Sequence, residues 1–253
     1  MDAIVYFASD FHLGIQNTRV REQKVVSWLD QISKDATHII LLGDLFDYWF
    51  EYRHYIPRGH IRFLGKLAQL RDQGIEIHIF TGNHDIWMFD YFQKELDIPV
   101  HKDGKIFSFN DLNFWVGHGD GKGPGDTGYK RLKKIFHNPA LQFLYRQFHP
   151  DLAHRIAGYF SRKSRAKEAT EVPFLGEDKE WLIQYCERKI ISHPHIDYFV
   201  FGHRHLPVFH TLSNNKSIYI NTGHWFTGGY YACLRNKNCY LYSYETGDKI
   251  FTK

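Results

Sequence analysis

The chain has 253 residues, 43% of them hydrophobic and 17% aromatic, and carries a formal net charge of +4. That is enough apolar material for one large domain with an insertion. No apolar run approaches the ~18 residues of a membrane span, so a soluble globular protein is expected and an integral helical membrane protein is excluded.

The first residues, "MDAIVYFASDFHLG", place an aspartate where the basic part of a signal peptide would sit and run straight into strand-like sequence. A cytoplasmic protein is expected. Three cysteines, Cys186, Cys233 and Cys239, show no metal-ligand spacing and read as reduced thiols, with Cys233 and Cys239 the one pair that could face across a hairpin. Through the first half, strand-like runs ("AIVYFAS", "HIILL", "IEIHIF") alternate with helical patterns ("TRVREQKVVSWLDQISK", "HIRFLGKLAQLRDQG"), the βαβαβ order of an α/β layered fold. "KIFSF" and "NFWVGH" follow as a hairpin, so parallel pairing should give way to antiparallel. From about 122 to 192 the texture is helical and basic, broken by prolines, and predicts an insertion or lid within a single 1–253 domain. Strands resume with "DYFVF", "PVFHTL", "SIYIN", "YYACLR" and "CYLYSY". Charge is equally regional: residues 122–170 hold 11 Lys/Arg against 3 Asp/Glu, and the remainder is net acidic. A cationic segment of this kind suits an anionic partner, whether phosphate, nucleic acid or lipid surface.

Five strand-like runs stop at a cluster of polar residues: "SDFHLG", "GDLFD", "GNHD", "GHGD" and "GHRH". In an open α/β sheet ligands bind beyond the carboxyl ends of the strands, so these clusters should converge. Their donors are Asp10, His12, Asp44, Asn83, His118, His203 and His205. Seven protein groups exceed the needs of one ion, whereas two ions sharing Asp44 would use them all. Mixed nitrogen and oxygen donors without thiolate suit manganese, iron, zinc or cobalt better than calcium or magnesium. Gly43, Gly82, Gly117 and Gly202 stand before donors, where a backbone leaving a strand must turn and approach an ion closely. Two such ions suit hydrolysis at phosphorus. His84 is then the expected acid for the leaving oxygen, with Asp85 orienting its ring and Asp47 nearby. His224, in "NTGHWF", is a further candidate to line the site, with a structural role as the main expectation.

Together the five blocks resemble the calcineurin-like metallophosphoesterase superfamily, whose pattern is D-x-H, GD-x-x-D, GNHD, GH and GHxH. The resemblance implies a four-layer α/β/β/α sandwich, with Asp10, His12, Asp44 and His205 on one metal and Asp44, Asn83, His118 and His203 on the other. Manganese is the expected metal.

A narrower similarity follows His118: "GHGDGKGPGDTGYKRLKKIF" resembles the entry to the helical lid of UDP-2,3-diacylglucosamine diphosphatases. It implies cleavage of a UDP-linked diacylated glucosamine lipid to UMP and a lipid 1-phosphate at an anionic membrane surface. Asn83, His84, Asp126, Tyr129, Ser164, Lys167 and His203 would contact substrate, and Leu141, Phe143, Leu144, Phe148, Ile156, Tyr159 and Phe160 would line an acyl pocket or form a helical core. The chain departs from that family at His84, where an arginine is usual, and at "GHW", where Gly-Asp-Trp is usual. Rival readings are a metallophosphoesterase of another substrate class, a nuclease drawn by the basic insertion, and a scaffold that has lost catalysis. The insertion carries no recognisable nucleic-acid module, so no nucleic acid is expected.

Overall fold

The computed structural model describes residues 2–14, 18–123, 127–168 and 173–250, with the backbone alone for 160–168. In chain order it forms β1 (Val5–Ala8), α1 (Thr18–Ile32), β2 (His38–Leu41), α2 (Ile61–Asp72), β3 (Glu76–Phe80), α3 (Tyr91–Leu96), β4 (Val100–His101), β5 (Lys105–Phe109) and β6 (Leu112–Val116). Helices α4 (Thr127–Phe136), α5 (Pro139–Arg146), α6 (Pro150–Glu168) and α7 (Trp181–Ser192) follow. The chain continues with β7 (Tyr198–Phe201), β8 (Pro207–Thr211), β9 (Ile218–Thr222), β10 (Tyr230–Arg235), β11 (Asn238–Ser243) and β12 (Lys249–Ile250).

Two mixed sheets result, ordered β12-β11-β10-β1-β2-β3-β4 and β5-β6-β7-β9-β8. Strands β1 to β4 run parallel, as do β6, β7 and β9, while the hairpin strands pair antiparallel. Side-chain alternation explains the layering. On β1, Val5 and Phe7 join Ile40, Phe114, Val200 and Ile220 in a core between the sheets. Tyr6 and Ala8 face the other way, onto Trp28 and Leu29 of α1 and Phe63 and Leu67 of α2. Leu182, Ile183, Cys186 and Ile190 of α7 cover the outer face of the second sheet against Phe199, Phe201 and Tyr219. The layers are therefore α/β/β/α, as expected.

The helical stretch expected over 122–192 divides in two. Helix α7 is a buried layer of the sandwich. Helices α4 and α5 bury no residue fully, and their apolar side chains stand in solvent, Phe143 63% and Leu144 59% exposed. Leu141, Phe148, Ile156 and Tyr159 are exposed as well, so these side chains are not a helical core, and Phe160 lies outside the described side chains. Trp87 ties this group to the body, donating from Nε1 to the Phe136 carbonyl at 3.0 Å and stacking on Tyr145 with centroids 5.4 Å apart. Cys233 and Cys239, the pair that could have faced across a hairpin, do not. Register pairs Cys239 with Leu234 and Cys233 with Tyr240, and the two thiols enter different cores.

Candidate metal centre

Each donor cluster follows a strand, and main-chain bonds lock neighbouring exits together. Asp10 N–H donates to the Gly43 carbonyl at 3.1 Å and His12 N–H to the Asp44 carbonyl at 2.9 Å, which carries the β1–β2 pairing past the strand ends. Gly202 N–H donates to the His118 carbonyl at 2.9 Å in the second sheet. The sheets meet where His203 N–H donates to Asp10 Oδ2 at 3.0 Å. Two glycines are required by space alone. A Cβ on Gly82 would lie within the Asp44 carboxylate, and one on Gly202 would lie against Ser9 Oγ and Asp10 Oδ2.

All seven expected donors meet at one mouth. Asp10, His12, Asp44 and His205 offer ligand atoms within 4.8 Å of one another, and so do Asp44, His118 and His203. Asp44 belongs to both groups. Nε2 of His205 lies 3.1 Å from Asp10 Oδ1, and Nε2 of His12 lies 3.7 Å from the same oxygen. His118 Nε2 stands 3.3 Å from Asp44 Oδ2 and 3.1 Å from Asn83 Oδ1. His118 Nδ1 donates to the Leu42 carbonyl at 2.8 Å, so in the neutral ring the Nε2 lone pair faces the cluster, the tautomer a metal ligand needs.

Electrostatics require positive charge here. Burial alone would raise the Asp10 and Asp44 carboxyls, yet His12 and His205 around Asp10, and His118 and His84 around Asp44, hold both well below the usual range. Burial alone would lower His118, but the Asp44 and Asp10 charges raise it to about 10. Burial and the His118 charge push His203 down to about 4. Asp10 Oδ1 is buried without a hydrogen bond of acceptable geometry among the described residues. An unsatisfied carboxylate oxygen facing imidazole nitrogens in a desolvated pocket fits divalent cations of the borderline type.

His84 occupies the rim, its ring 5.0 Å from and nearly perpendicular to that of His12. Its Nδ1 donates to the Asp47 carbonyl at 3.1 Å and lies 3.4 Å from Asp47 Oδ1. The expectation that Asp85 orients this ring is corrected. Asp85 accepts from the N–H groups of Gly82 and Leu45 at 2.7 Å, Asp44 at 3.3 Å and Phe46 at 3.4 Å, so its oxygens are occupied by backbone. Burial and the Asp44 charge push it up to about 7, against the pull of those donors.

Of the expected substrate contacts, Tyr129 donates its hydroxyl to Asp120 Oδ2 at 2.6 Å, beside His118. Asp126 lies outside the described residues, as do the side chains of Ser164 and Lys167 on α6. His224 lies beside the site with its ring 5.9 Å from His205, and its Nδ1 accepts from Phe226 N–H at 3.1 Å.

Two supporting residues were not anticipated. Arg204 forms a two-toothed pair with buried Glu180, at 3.0 and 2.8 Å, fastening the "GHRH" turn to the start of α7. Asp120, also buried, accepts from Lys133 at 2.6 Å as well as from Tyr129. The arginine between two histidines was the available signal for the first, and the aspartate of "GHGD" for the second.

A family model described as calcineurin-like phosphoesterase matches residues 4–207. A UDP-2,3-diacylglucosamine hydrolase of Porphyromonas gingivalis is 37% identical over 260 residues, covering 97% of this chain and 99% of its own. Proteins of the same name from Edwardsiella ictaluri and Vibrio parahaemolyticus are 26% and 25% identical, each over 88% of this chain and over 85% and 90% of their own lengths. A match that runs over most of the chain, from before β1 to the start of β8, has one consequence: the chain belongs to the calcineurin-like phosphoesterase family.

Proposed function

We propose that this protein hydrolyses the diphosphate of UDP-2,3-diacylglucosamine, giving UMP and 2,3-diacylglucosamine 1-phosphate. The observation that carries this reading is the match, over nearly its whole length, to the Porphyromonas gingivalis hydrolase. Asp10, His12, Asp44 and His205 would hold one divalent ion and Asp44, Asn83, His118 and His203 a second, manganese being our assignment. Such ions supply an activated water and neutralise charge on the phosphoryl oxygens. Asp44 would be shared by the two, because its buried carboxylate belongs to both donor groups. His84, held at Nδ1 by the Asp47 carbonyl, would give a proton to the leaving oxygen. The water oxygen forms a new P–O bond on the phosphorus that becomes UMP, losing a proton to solvent, as the bridging P–O bond breaks and the His84 proton ends on the departing lipid 1-phosphate.

Helices α4 to α6 supply the other half of the reading. Their exposed apolar side chains lie among exposed Lys130, Arg131, Lys134 and Arg155, a surface suited to acyl chains beside a diphosphate and to an anionic membrane face. Tyr129, Asp126, Ser164 and Lys167 belong to this lid as proposed contacts of the sugar and its phosphate. No helix among the described residues is long and apolar enough to cross a membrane, which suits peripheral attachment.

The test is UMP release from UDP-2,3-diacylglucosamine in detergent with added manganese, with Asp44→Ala and UDP-glucose as controls. Metal-dependent turnover of the lipid alone, lost in the variant, is expected. Hydrolysis of a generic diester without lipid turnover would discard the substrate and retain the phosphoesterase.

A further inference from the structure

We propose that the segment Thr222–Phe226 clamps the Asp10 and His12 half of the metal centre, and that Phe226 is a positioning residue that sets the affinity of one ion. This inference rests on the two-ion reading above. The segment lies beyond residues 4–207, the part that matches the family model.

The contacts converge on one half of the site. Phe226 stacks on the His12 ring with centroids 5.1 Å apart and planes 17° from parallel. Arg21, almost fully buried, sets its guanidinium 4.5 Å from the centre of the same Phe226 ring and donates to the His12 carbonyl at 2.8 Å. Trp225 N–H donates to the Asp10 carbonyl at 3.2 Å. Thr222 Oγ1 lies 2.6 Å from Ser9 Oγ, which in turn donates to Asp10 Oδ2. Phe226 also meets the His205 ring edge-on at 5.9 Å. The turn that returns Phe226 to the site is closed by its own N–H donating to His224 Nδ1. Among the described residues, the hydrogen bonds and ring contacts of this segment reach no side chain of Asn83, His118 or His203.

The physical consequence lies in the ring plane of His12. An imidazole binds an ion through a lone pair in its own plane, and rotation about χ2 is intrinsically broad. His118 is fixed by its Nδ1 bond to the Leu42 carbonyl. The His12 ring lies flat against the aromatic face of Phe226, with the His84 and His205 rings edge-on to it, and the Arg21 guanidinium over Phe226 anchors that face by a cation–π contact. Removing a group that orients a metal ligand typically costs 10–100-fold in metal affinity.

The experiment titrates Mn2+ into metal-free protein by calorimetry, with bound ions counted from the loss of the free-ion electron-resonance signal. Wild type should bind two ions. Phe226→Ala should weaken one about 10-fold or more and leave the other within about twofold, while Phe226→Tyr, which keeps the aromatic face, restores both. The weakened ion should be the one that His205→Gln also weakens, with the double change costing less than the sum. If Phe226→Ala fails to fold, Phe226→Leu keeps the bulk without the aromatic face and is read in the same way. Equal weakening of both ions, or of neither, in folded protein overturns the clamp. Fewer than two ions in wild type overturns the two-ion reading itself.

Discussion

Replacing Asp85 by asparagine separates a structural role from a chemical one. The carboxylate receives two short bonds, from Gly82 and Leu45 at 2.7 Å, and two long ones, from Asp44 and Phe46 at 3.3 and 3.4 Å. Those from Asp44, Leu45 and Phe46 join the loop after β2 to the loop after β3. An amide keeps one oxygen and turns an NH2 toward the other donors, so one short and one long bond are lost. A bond to a charged acceptor is worth about 1.5–3 kcal/mol, and the long bond adds less, giving about 2–4 kcal/mol. The neutral amide also escapes the burial penalty and the repulsion of Asp44, which together push Asp85 up to about 7, and this draws the net cost toward about 2 kcal/mol. For a domain of this size that is a drop of about 4–8 °C in Tm, read by thermal unfolding of metal-free protein. Asp47→Asn keeps the carbonyl that holds His84 and removes only the charge 3.4 Å from its Nδ1, so it should leave Tm nearly unchanged and act on kcat through that charge. The reasoning is refuted if Asp85→Asn melts with the wild type while its kcat falls as far as that of His84→Ala.

Three other outcomes follow from particular contacts. His78 and His101 share a bond, Nδ1 to Nε2 at 3.1 Å; burial and then the Lys105 charge depress both, His101 from 6.5 to about 4. The unfolded chain therefore binds more protons between those values, so the associated stability is complete above pH 6.5 and lost as pH falls toward 4. Discounted for a half-exposed ring it amounts to about 1–2 kcal/mol, and His101→Gln should flatten the urea midpoint between pH 7 and pH 4.5. Gly82→Ala would drive a Cβ into the carboxylate shared by both donor groups, so calorimetry should show both ions weakened together, by about 10-fold or more. Trp87→Leu removes the bond to Phe136 and the stack on Tyr145; hydrogen exchange across 127–168 should quicken and KM for the lipid rise several-fold, with generic diester turnover kept.

The sandwich was legible because its signals are local. Alternation on "AIVYFAS" and "HIILL" places Phe7 and Ile40 in one core and Tyr6 and Ile39 in another, and helix periodicity places α1 and α2 within two residues of their observed ends. The seven donors were legible because each stands just beyond a strand, where topology brings residues distant in sequence together. Short elements escaped: α3, β4 and β12 are too brief to show a period. Helix α7 read as part of the insertion because amphipathic sequence shows which face is apolar without showing what covers it. Asp85 was misread for a related reason, since adjacency to His84 in sequence does not fix which group its oxygens meet. Phe226 looked like one aromatic among many, and its place on His12 depends on a turn closed by His224.

Backbone conformation shows why the centre needs both sheets. Asp10, His12, Asp44, His203 and His205, five of the seven donors, have positive φ between 44° and 66°. For residues with a Cβ this region costs about 1–2 kcal/mol each and persists where surrounding bonds over-determine it. Those bonds are present: Asp10 N–H to Gly43, His12 N–H to Asp44, and His203 N–H to the Asp10 side chain. The sharp left-handed turns let donors leave strands of two separate layers and still point into a common gap. Asn83 and His118 reach the same gap without positive φ, as His84 N–H donates to Asp44 Oδ1 at 2.8 Å and His118 is anchored to Leu42. Strain is thus concentrated on the donors from β1, β2 and β7, with Asp10 as the link across the sandwich. Loss of the Asp10 side chain should therefore disturb His203 through the lost backbone bond as well as the ion that Asp10 would hold.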